Sequence, residues 1–174
     1  VAWDQGRVMR DQQHGSAFPV LQVDGFVSTS LEDASMGIRV ANNGVGPALI
    51  ESVTLYEHGE ERAGMTSYLA TMPAGHNISW SSMTGRALAP GTDVMPIRIR
   101  WDRADISAQE IQAAALAWNA WELRVCYCSV FGRCWETSPV GGARAHRVAM
   151  CVRDEDDVFE NLGATRQDVE GATP

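Results

Sequence analysis

The chain of 174 residues contains no lysine: its 14 basic side chains are all arginine, against 22 acidic ones, and its formal net charge is −8. A nucleic-acid-binding surface needs a concentrated basic patch to contact phosphates, so this shortage of positive charge argues against that class of partner. The imbalance is local, because residues 153–174 carry seven acidic side chains and two arginines, a net −5. The remaining −3 is unremarkable for a globular domain.

Long apolar runs and catalytic motifs are also absent. No uninterrupted apolar stretch reaches the roughly 18 residues that mark a membrane-spanning helix. Apolar residues make up 45% of the chain and charged residues 21%, which is typical of a globular protein and argues against wholesale disorder. The chain has no G-x-S-x-G elbow, no P-loop and no H-E-x-x-H motif. The sequence therefore predicts no catalytic residue, no cofactor and no enzyme activity.

Side chains that bind metals are scattered. The histidines, none of which pairs with another at i, i+3 or i, i+4 spacing, are His14, His58, His76 and His146. Asp102 and Asp105, or the acids of residues 154–157, could supply paired carboxylates, but solvated turn and tail residues are the favoured interpretation. The acidic run lacks the ligand spacing and the glycine of an EF-hand. We therefore predict no metal site among these residues.

Apolar residues at every second position predict a series of short β-strands. The pattern is strongest in residues 121–128, which turn around Gly132 and return through Cys134. Comparable segments, bounded by Gly, Pro and Asn turns, are residues 18–30, 36–40, 48–57, 76–83, 92–101 and 146–152. About seven short strands at this spacing predict a mainly β fold, an immunoglobulin-like antiparallel β-sandwich with one or two short helices in the connections.

Helix signals are few. Ser107 and Glu110 form a capping box, and apolar residues at helical spacing follow up to Trp118, so a helix of about ten residues is predicted to begin there. A second, shorter helix is predicted within residues 63–72. Residues 1–15 predict a polar helix with a thin apolar stripe. An isolated helix of that length is marginal in water, so it either frays or is the exposed end of something longer, such as a membrane-spanning helix.

The chain is accordingly divided into three parts. We expect residues 1–15 to form the polar helix, residues 16–152 the β-sandwich, and residues 153–174 an acidic, flexible C-terminal tail. The tail could instead be docked by its few apolar anchors, which are Val158, Phe159 and Leu162.

Three of the four cysteines lie in the predicted hairpin. Cys126 and Cys128 are two residues apart on one strand, so they share a face and cannot pair with each other without strain. Cys134 would lie beside Cys128 across the hairpin, which leaves Cys126 for Cys151. Three connectivities are formally possible, and we favour Cys128–Cys134 with Cys126–Cys151.

A zinc site is the competing interpretation of the four cysteines, and reduced core cysteines are a third. Zinc sites built on cysteine pairs usually have two C-x₂₋₄-C knuckles, and the spacing here fits that pattern poorly. A redox-active pair is disfavoured because no C-x-x-C at a helix N-terminus lowers a thiol pKa. Disulfides remain the favoured assignment.

Six tryptophans are numerous for this length, and most are expected to lie in the core: Trp3, Trp80, Trp101, Trp118, Trp121 and Trp135. Trp121 alternates in phase with apolar neighbours, which places it on their face. Trp101 and Trp135 lie at strand ends and are the better candidates for exposure. If exposed, they would form a possible binding surface for a sugar or a peptide.

Three landmarks carry a resemblance to a known group of proteins. They are N-N-G-V-G-P-A-L-I at residues 42–50, A-P-G at residues 89–91 and C-Y-C-S-V-F-G-R-C-W at residues 126–135. Together with the polar segment of residues 3–13, they resemble small bacterial membrane-anchored proteins that have one N-terminal transmembrane helix, an extracytoplasmic domain and no assigned activity. The resemblance covers about residues 1–151 and leaves the acidic tail outside it.

The resemblance implies location and anchoring, but no catalytic residue. It places the domain in an oxidising, extracytoplasmic compartment, the periplasm, tethered to the inner membrane by a helix upstream of Val1, and this favours disulfides. The leading hypothesis is a non-enzymatic domain that engages another cell-envelope protein. The alternative is a sugar- or peptide-binding module that uses exposed aromatic residues; an enzyme or a zinc-binding domain ranks below both. The oligomeric state is left open.

Overall fold

The structure is a computed structural model that describes residues 2–137, 142, 144–160 and 162, without the side chains of residues 2 and 3. In these residues the helices are α1 (Ala2–Ser16), α2 (Thr66–Leu69) and α3 (Ala108–Trp118). The strands are β1 (Leu21–Thr29), β2 (Asp33–Asn42), β3 (Ala48–Glu57), β4 (Glu60–Arg62), β5 (Asn77–Trp80), β6 (Ala87–Leu88), β7 (Asp93–Asp102), β8 (Trp121–Cys128), β9 (Cys134–Glu136) and β10 (His146–Val148).

The strands form two antiparallel sheets. One has the order β1-β2-β7-β5, and the other has the order β10-β9-β8-β3-β4 with β6 paired to β3. Strands make up 41% and helices 19% of the part of the chain that the structure describes, so the mainly β prediction is confirmed and the arrangement is consistent with a β-sandwich. The immunoglobulin-like assignment stays a prediction.

The core lies between the sheets because each strand presents its apolar residues on one face. Fully buried side chains come from both layers and include Met36, Ile97, Ile99, Ile50, Leu55 and Leu123. The predicted boundaries of β3 and of β8 agree with the structure, although the pairing of β3 with β8 is irregular between Ile50 and Ser52. The first predicted strand begins three residues later than expected, at Leu21.

Two short strands escaped prediction. β4 is three residues long, fully exposed and free of apolar residues, so it carries no alternating pattern. It pairs with the end of β3 through a turn at His58 and Gly59, both of which have positive φ, 51° and 81°. β6 has only two residues, and its pairing with β3 is set by the tertiary fold.

The capping box of α3 is confirmed. The Ser107 hydroxyl accepts a hydrogen bond from the Glu110 backbone N–H at 3.2 Å, and the Ser107 N–H donates to Glu110 Oε2 at 2.8 Å. The side-chain hydrogen bond from Ser107 lowers the pKa of Glu110 below its ordinary value. Ile111, Ala114 and Trp118 are buried, so α3 packs along its apolar face.

The predicted polar helix is present as α1, which contacts the β8–β9 turn through its C-terminal part. Asp11 and Arg133 form an ion pair at 3.8 Å, and the His14 ring lies edge-on to Phe131 with centroids 5.6 Å apart. Val8 and Met9 are exposed by 56% and 61%. No helix within the described part of the chain has the length and apolar character needed to cross a membrane.

Candidate binding surface

Trp101 and Trp135, the proposed binding surface, are buried, so that prediction is wrong. Trp101 is 0% exposed and its Nε1 donates a hydrogen bond to the carbonyl of Pro73 at 3.0 Å. Trp135 is 7% exposed, because Phe18 packs edge-on against it at 4.9 Å and Tyr127 stacks on it at 5.8 Å. Alternation identifies the face that a strand-end residue occupies, but the segments that cover it come from elsewhere in the chain.

All four cysteines are disulfide-bonded, and none is free. The bridges are Cys126–Cys151 and Cys128–Cys134, the favoured connectivity. Cys128 and Cys134 face each other in the β8–β9 register, and Cys126 lies two residues earlier on the same face of β8. Sulfur atoms of Cys128, Cys134 and Cys151 lie within 4.8 Å of one another. In this oxidised state they are not thiolates, so the cluster does not have the ligand chemistry of a zinc site.

The first part of the predicted flexible tail is packed onto the sandwich. Phe159 is 0% exposed, Leu162 is 9% exposed and Val158 packs against the core, so the three apolar anchors hold this segment. Residues 163–174 lie outside the described part of the chain. The expectation of a flexible tail is therefore corrected for the segment that ends at Leu162.

A buried carboxylate completes this attachment. Asp157 is 3% exposed, and its Oδ2 accepts hydrogen bonds from the backbone N–H groups of Met83 and Thr84. Its Oδ1 accepts from the N–H of Phe159 at 2.9 Å. The sequence predicts Asp157 to be one of several solvated tail acids, and no local pattern distinguishes it from Asp156. Its role is structural, since it joins the tail to the loop before β6.

Asp157→Ala should lower the free energy of unfolding by about 2 to 3 kcal/mol, because it leaves three backbone N–H groups without their charged acceptor. Asp157→Asn retains one carbonyl oxygen and should lose less. Asp156→Ala changes an exposed neighbour and serves as the matched control. Urea unfolding measures all three variants. Equal stability of Asp157→Ala and Asp156→Ala would contradict the role assigned to Asp157.

An acidic cavity lies next to the Asp157 attachment. It is a weaker candidate for a functional site than the apolar cleft described below. It has a volume of about 470 Å³ and is lined by Thr84, Arg153, Asp154, Glu155, Asp157 and Glu160. Asp157 is occupied by backbone donors, and Asp154, Glu155 and Glu160 are exposed acids.

The pKa shifts of two titratable groups, Asp33 and Tyr68, arise from hydrogen bonds and burial within the fold. Hydrogen bonds from Ser30 and then Arg100 lower the pKa of Asp33, the first residue of β2. Burial raises the pKa of Tyr68 to about 12, and its hydroxyl donates to the Ala114 carbonyl at 3.4 Å. The lowered carboxyl pKa of Asp33 stabilises the fold above the ordinary carboxyl pKa, and this contribution is lost as pH falls through the folded value. These shifts do not prepare a group for proton transfer near neutral pH.

An apolar cleft opens between the sheets on the β1 side. It encloses about 190 Å³ and is lined by Val23, Gly25, Phe26, Val27, Ile38, Trp118, Asn119, Trp121 and Leu123. The indole Nε1 of Trp121 is buried and has no hydrogen-bond partner among the described residues. The Nε1 of Trp118 lies over Gly25, 3.4 Å from the position that a Cβ would take there.

The rim of the cleft is the free edge of β1. This strand is at the end of its sheet and pairs only with β2 among the described strands. Gly25, Ser28 and Thr29 are exposed and Val27 is 46% exposed, so this half of the edge is open to solvent. The start of the strand is closed, since Leu21 is 0% exposed and its N–H donates to the Tyr127 hydroxyl at 3.4 Å. An open edge beside an apolar cleft is the feature of the described residues best suited to binding.

The sequence predicts the elements that carry two of the residues lining this surface, but not how they come together. It placed Trp118 on a helix and Trp121 on the inner face of a strand, and both assignments agree with the structure. The cleft between them and β1 depends on the strand order, which no local pattern specifies. Gly25, which lies between Val23 and Val27 on the same face of its strand, was the available signal, because a glycine within a strand often marks a close approach.

The chain matches no protein-family model, no curated protein and no solved structure.

Proposed function

We propose that this domain is a non-enzymatic, extracytoplasmic module that binds another cell-envelope protein and is tethered to the inner membrane by a helix upstream of Val1. The observation that carries the proposal is the solvent-open β1 edge at residues 25–29 beside an apolar cleft. Exposed sheet edges are normally blocked by charge, proline or a covering segment, because they readily pair with other chains. Residues 25–29 contain no charged residue and no proline.

The two disulfides support the extracytoplasmic location in this proposal. Structural disulfides form and persist outside the cytoplasm and are rare inside it, so they indicate an oxidising, extracytoplasmic environment. The periplasmic location in the proposal agrees with this chemistry.

A sugar- or small-ligand-binding role has less support. The two tryptophans expected to form its platform are buried. The apolar cleft, at about 190 Å³, is also smaller than the roughly 300 to 1,000 Å³ of typical small-molecule sites. Trp80 is exposed by only 39%, and a single ring does not form a stacking platform.

Photocrosslinking in intact cells tests the proposed function. A photoreactive phenylalanine analogue is placed, one position at a time, at exposed apolar sites on different faces of the full-length protein, namely Leu31, Trp80, Leu116 and Val130, and also at Thr29. We expect a discrete adduct with one envelope protein, identified by mass spectrometry, from at least one position. Illumination that yields no discrete protein adduct at any position would overturn the proposal.

A further inference from the structure

We infer that the partner docks as an added β-strand along residues 25–29 of β1 and inserts one large apolar side chain into the adjacent cleft. This inference rests on the proposed function and specifies its surface and the kind of segment that is bound. Main-chain hydrogen bonds would supply affinity, and the cleft would select the side chain, as in other cases of strand addition.

The hydrogen-bonding pattern of β1 shows which backbone groups are available. The N–H of Asn43 donates to the carbonyl of Val20 at 2.8 Å, so Val20 directs its backbone toward β2. Because successive residues of a strand direct their backbone groups to opposite sides, Gly25, Val27 and Thr29 direct theirs away from β2. No described residue forms a hydrogen bond with these outward groups. A segment in extended conformation therefore finds alternating donors and acceptors along this edge.

The size of the cleft determines which side chain the bound segment must carry. Its volume of about 190 Å³ suits one side chain rather than a cofactor-sized molecule. Its walls are mainly apolar, with the indole rings of Trp118 and Trp121 on the side opposite β1. A strand that pairs with β1 presents every second side chain toward the cleft, since β1 itself directs Val23 and Gly25 inward. The bound segment should therefore carry a large apolar residue at a position facing Gly25 or Val27.

A different protein is the occupant that fits best. A second copy of this chain would bring another net charge of −8, and like-charged molecules repel each other. A second copy of β1 would also offer Gly25 or Val27 to the cleft, and neither is a large side chain. The expected occupant is a neutral or basic extended segment of another envelope protein.

The test uses the photoreactive analogue at Thr29 in the full-length protein, combined with two pairs of substitutions. Val27→Pro removes one outward N–H, whereas Val27→Ala loses the same side chain and retains that N–H. Gly25→Leu fills the cleft, whereas Gly25→Ala adds one methyl group 3.4 Å from Trp118 and leaves most of the cleft open. We expect the Thr29 adduct to be at least about tenfold weaker in Val27→Pro than in Val27→Ala, and at least about tenfold weaker in Gly25→Leu than in Gly25→Ala.

Hydrogen exchange gives an independent measurement on purified protein. The probe is a synthetic peptide with the sequence of the crosslinked segment, and its control has the inserted apolar residue replaced by alanine. The amides of Gly25, Val27 and Thr29 should exchange rapidly in the free protein and become protected by the peptide but not by its control. The amides of Asp24, Phe26 and Ser28, which already face β2, should change little. Because this experiment uses the unmodified protein, it decides the matter even if Val27→Pro fails to fold.

Several outcomes would overturn the inference. They are an adduct with the mass of two copies of this chain, a crosslink from Thr29 to another part of the same chain, and adducts unaffected by both Val27→Pro and Gly25→Leu. If other positions crosslink to an envelope protein and Thr29 does not, the proposed function stands and the docking site is wrong. If no position crosslinks, both are wrong.

Discussion

The substitution Trp101→Ala should lower the free energy of unfolding by about 3 to 5 kcal/mol, the usual cost of truncating a large, fully buried aromatic side chain. The ring is 0% exposed on the inner face of β7, so its removal leaves a cavity in the core. The substitution also removes the hydrogen bond from Nε1 to the Pro73 carbonyl, which ties the α2–β5 connection to the sheet. Urea unfolding followed by far-UV circular dichroism measures the loss.

Two further variants separate the effect of the core cavity from the effect of the lost hydrogen bond. Trp101→Phe retains most of the apolar volume but loses the Nε1 donor, so it should cost less than alanine and more than a surface change. Trp80→Ala removes a tryptophan that is 39% exposed on the edge strand β5, and it should change stability by less than about 1 kcal/mol. If Trp101→Ala remained as stable as Trp80→Ala and instead lost binding to a partner, the burial argument would fail and Trp101 would be a contact residue.

Trp101 also illustrates what alternation can and cannot predict. Ile97, Ile99 and Trp101 are two positions apart along β7, so the strand alone puts them on one face, and all three are buried. Exposure at the strand end depends on the segment that includes Pro73, which is distant in sequence. For Trp135 the covering residue is Phe18, which precedes β1. Local patterns therefore predicted the strands better than the surface.

The same distinction between local patterns and contacts with distant segments applies to the candidate site. Capping residues and helical spacing predicted α3 up to Trp118, and alternation predicted β8 from Trp121, since both signals lie within a few residues. That β1 is an edge strand, and that it lines a cleft together with Trp118, follows from pairings between distant segments. The burial of Asp157 was unpredictable for the same reason, because its donors at Met83 and Thr84 are more than 70 residues away.

Removal of the Cys126–Cys151 disulfide should also cause a large loss in the free energy of unfolding. The bridge closes a loop of 25 residues, for which chain entropy alone predicts a loss of about 3.5 kcal/mol in the double alanine variant. The Cys128–Cys134 bridge closes only six residues and should cost about 2 kcal/mol, since a short loop restricts the unfolded chain less. Urea unfolding of the two double variants, with mass spectrometry to verify the remaining bridge, gives the comparison.

The longer bridge should also be coupled to Asp157. Cys151 lies six residues before Asp157, so its bond to β8 holds in place the segment whose carboxylate contacts Met83 and Thr84. Once the bridge is removed, that segment is already loosened and Asp157→Ala should cost less than it does in the bridged protein. The same substitution in the Cys128–Cys134 variant should keep its full cost, because that bridge joins β8 to β9 alone. Additive losses in both backgrounds would contradict this coupling and leave the disulfide acting only through the unfolded chain.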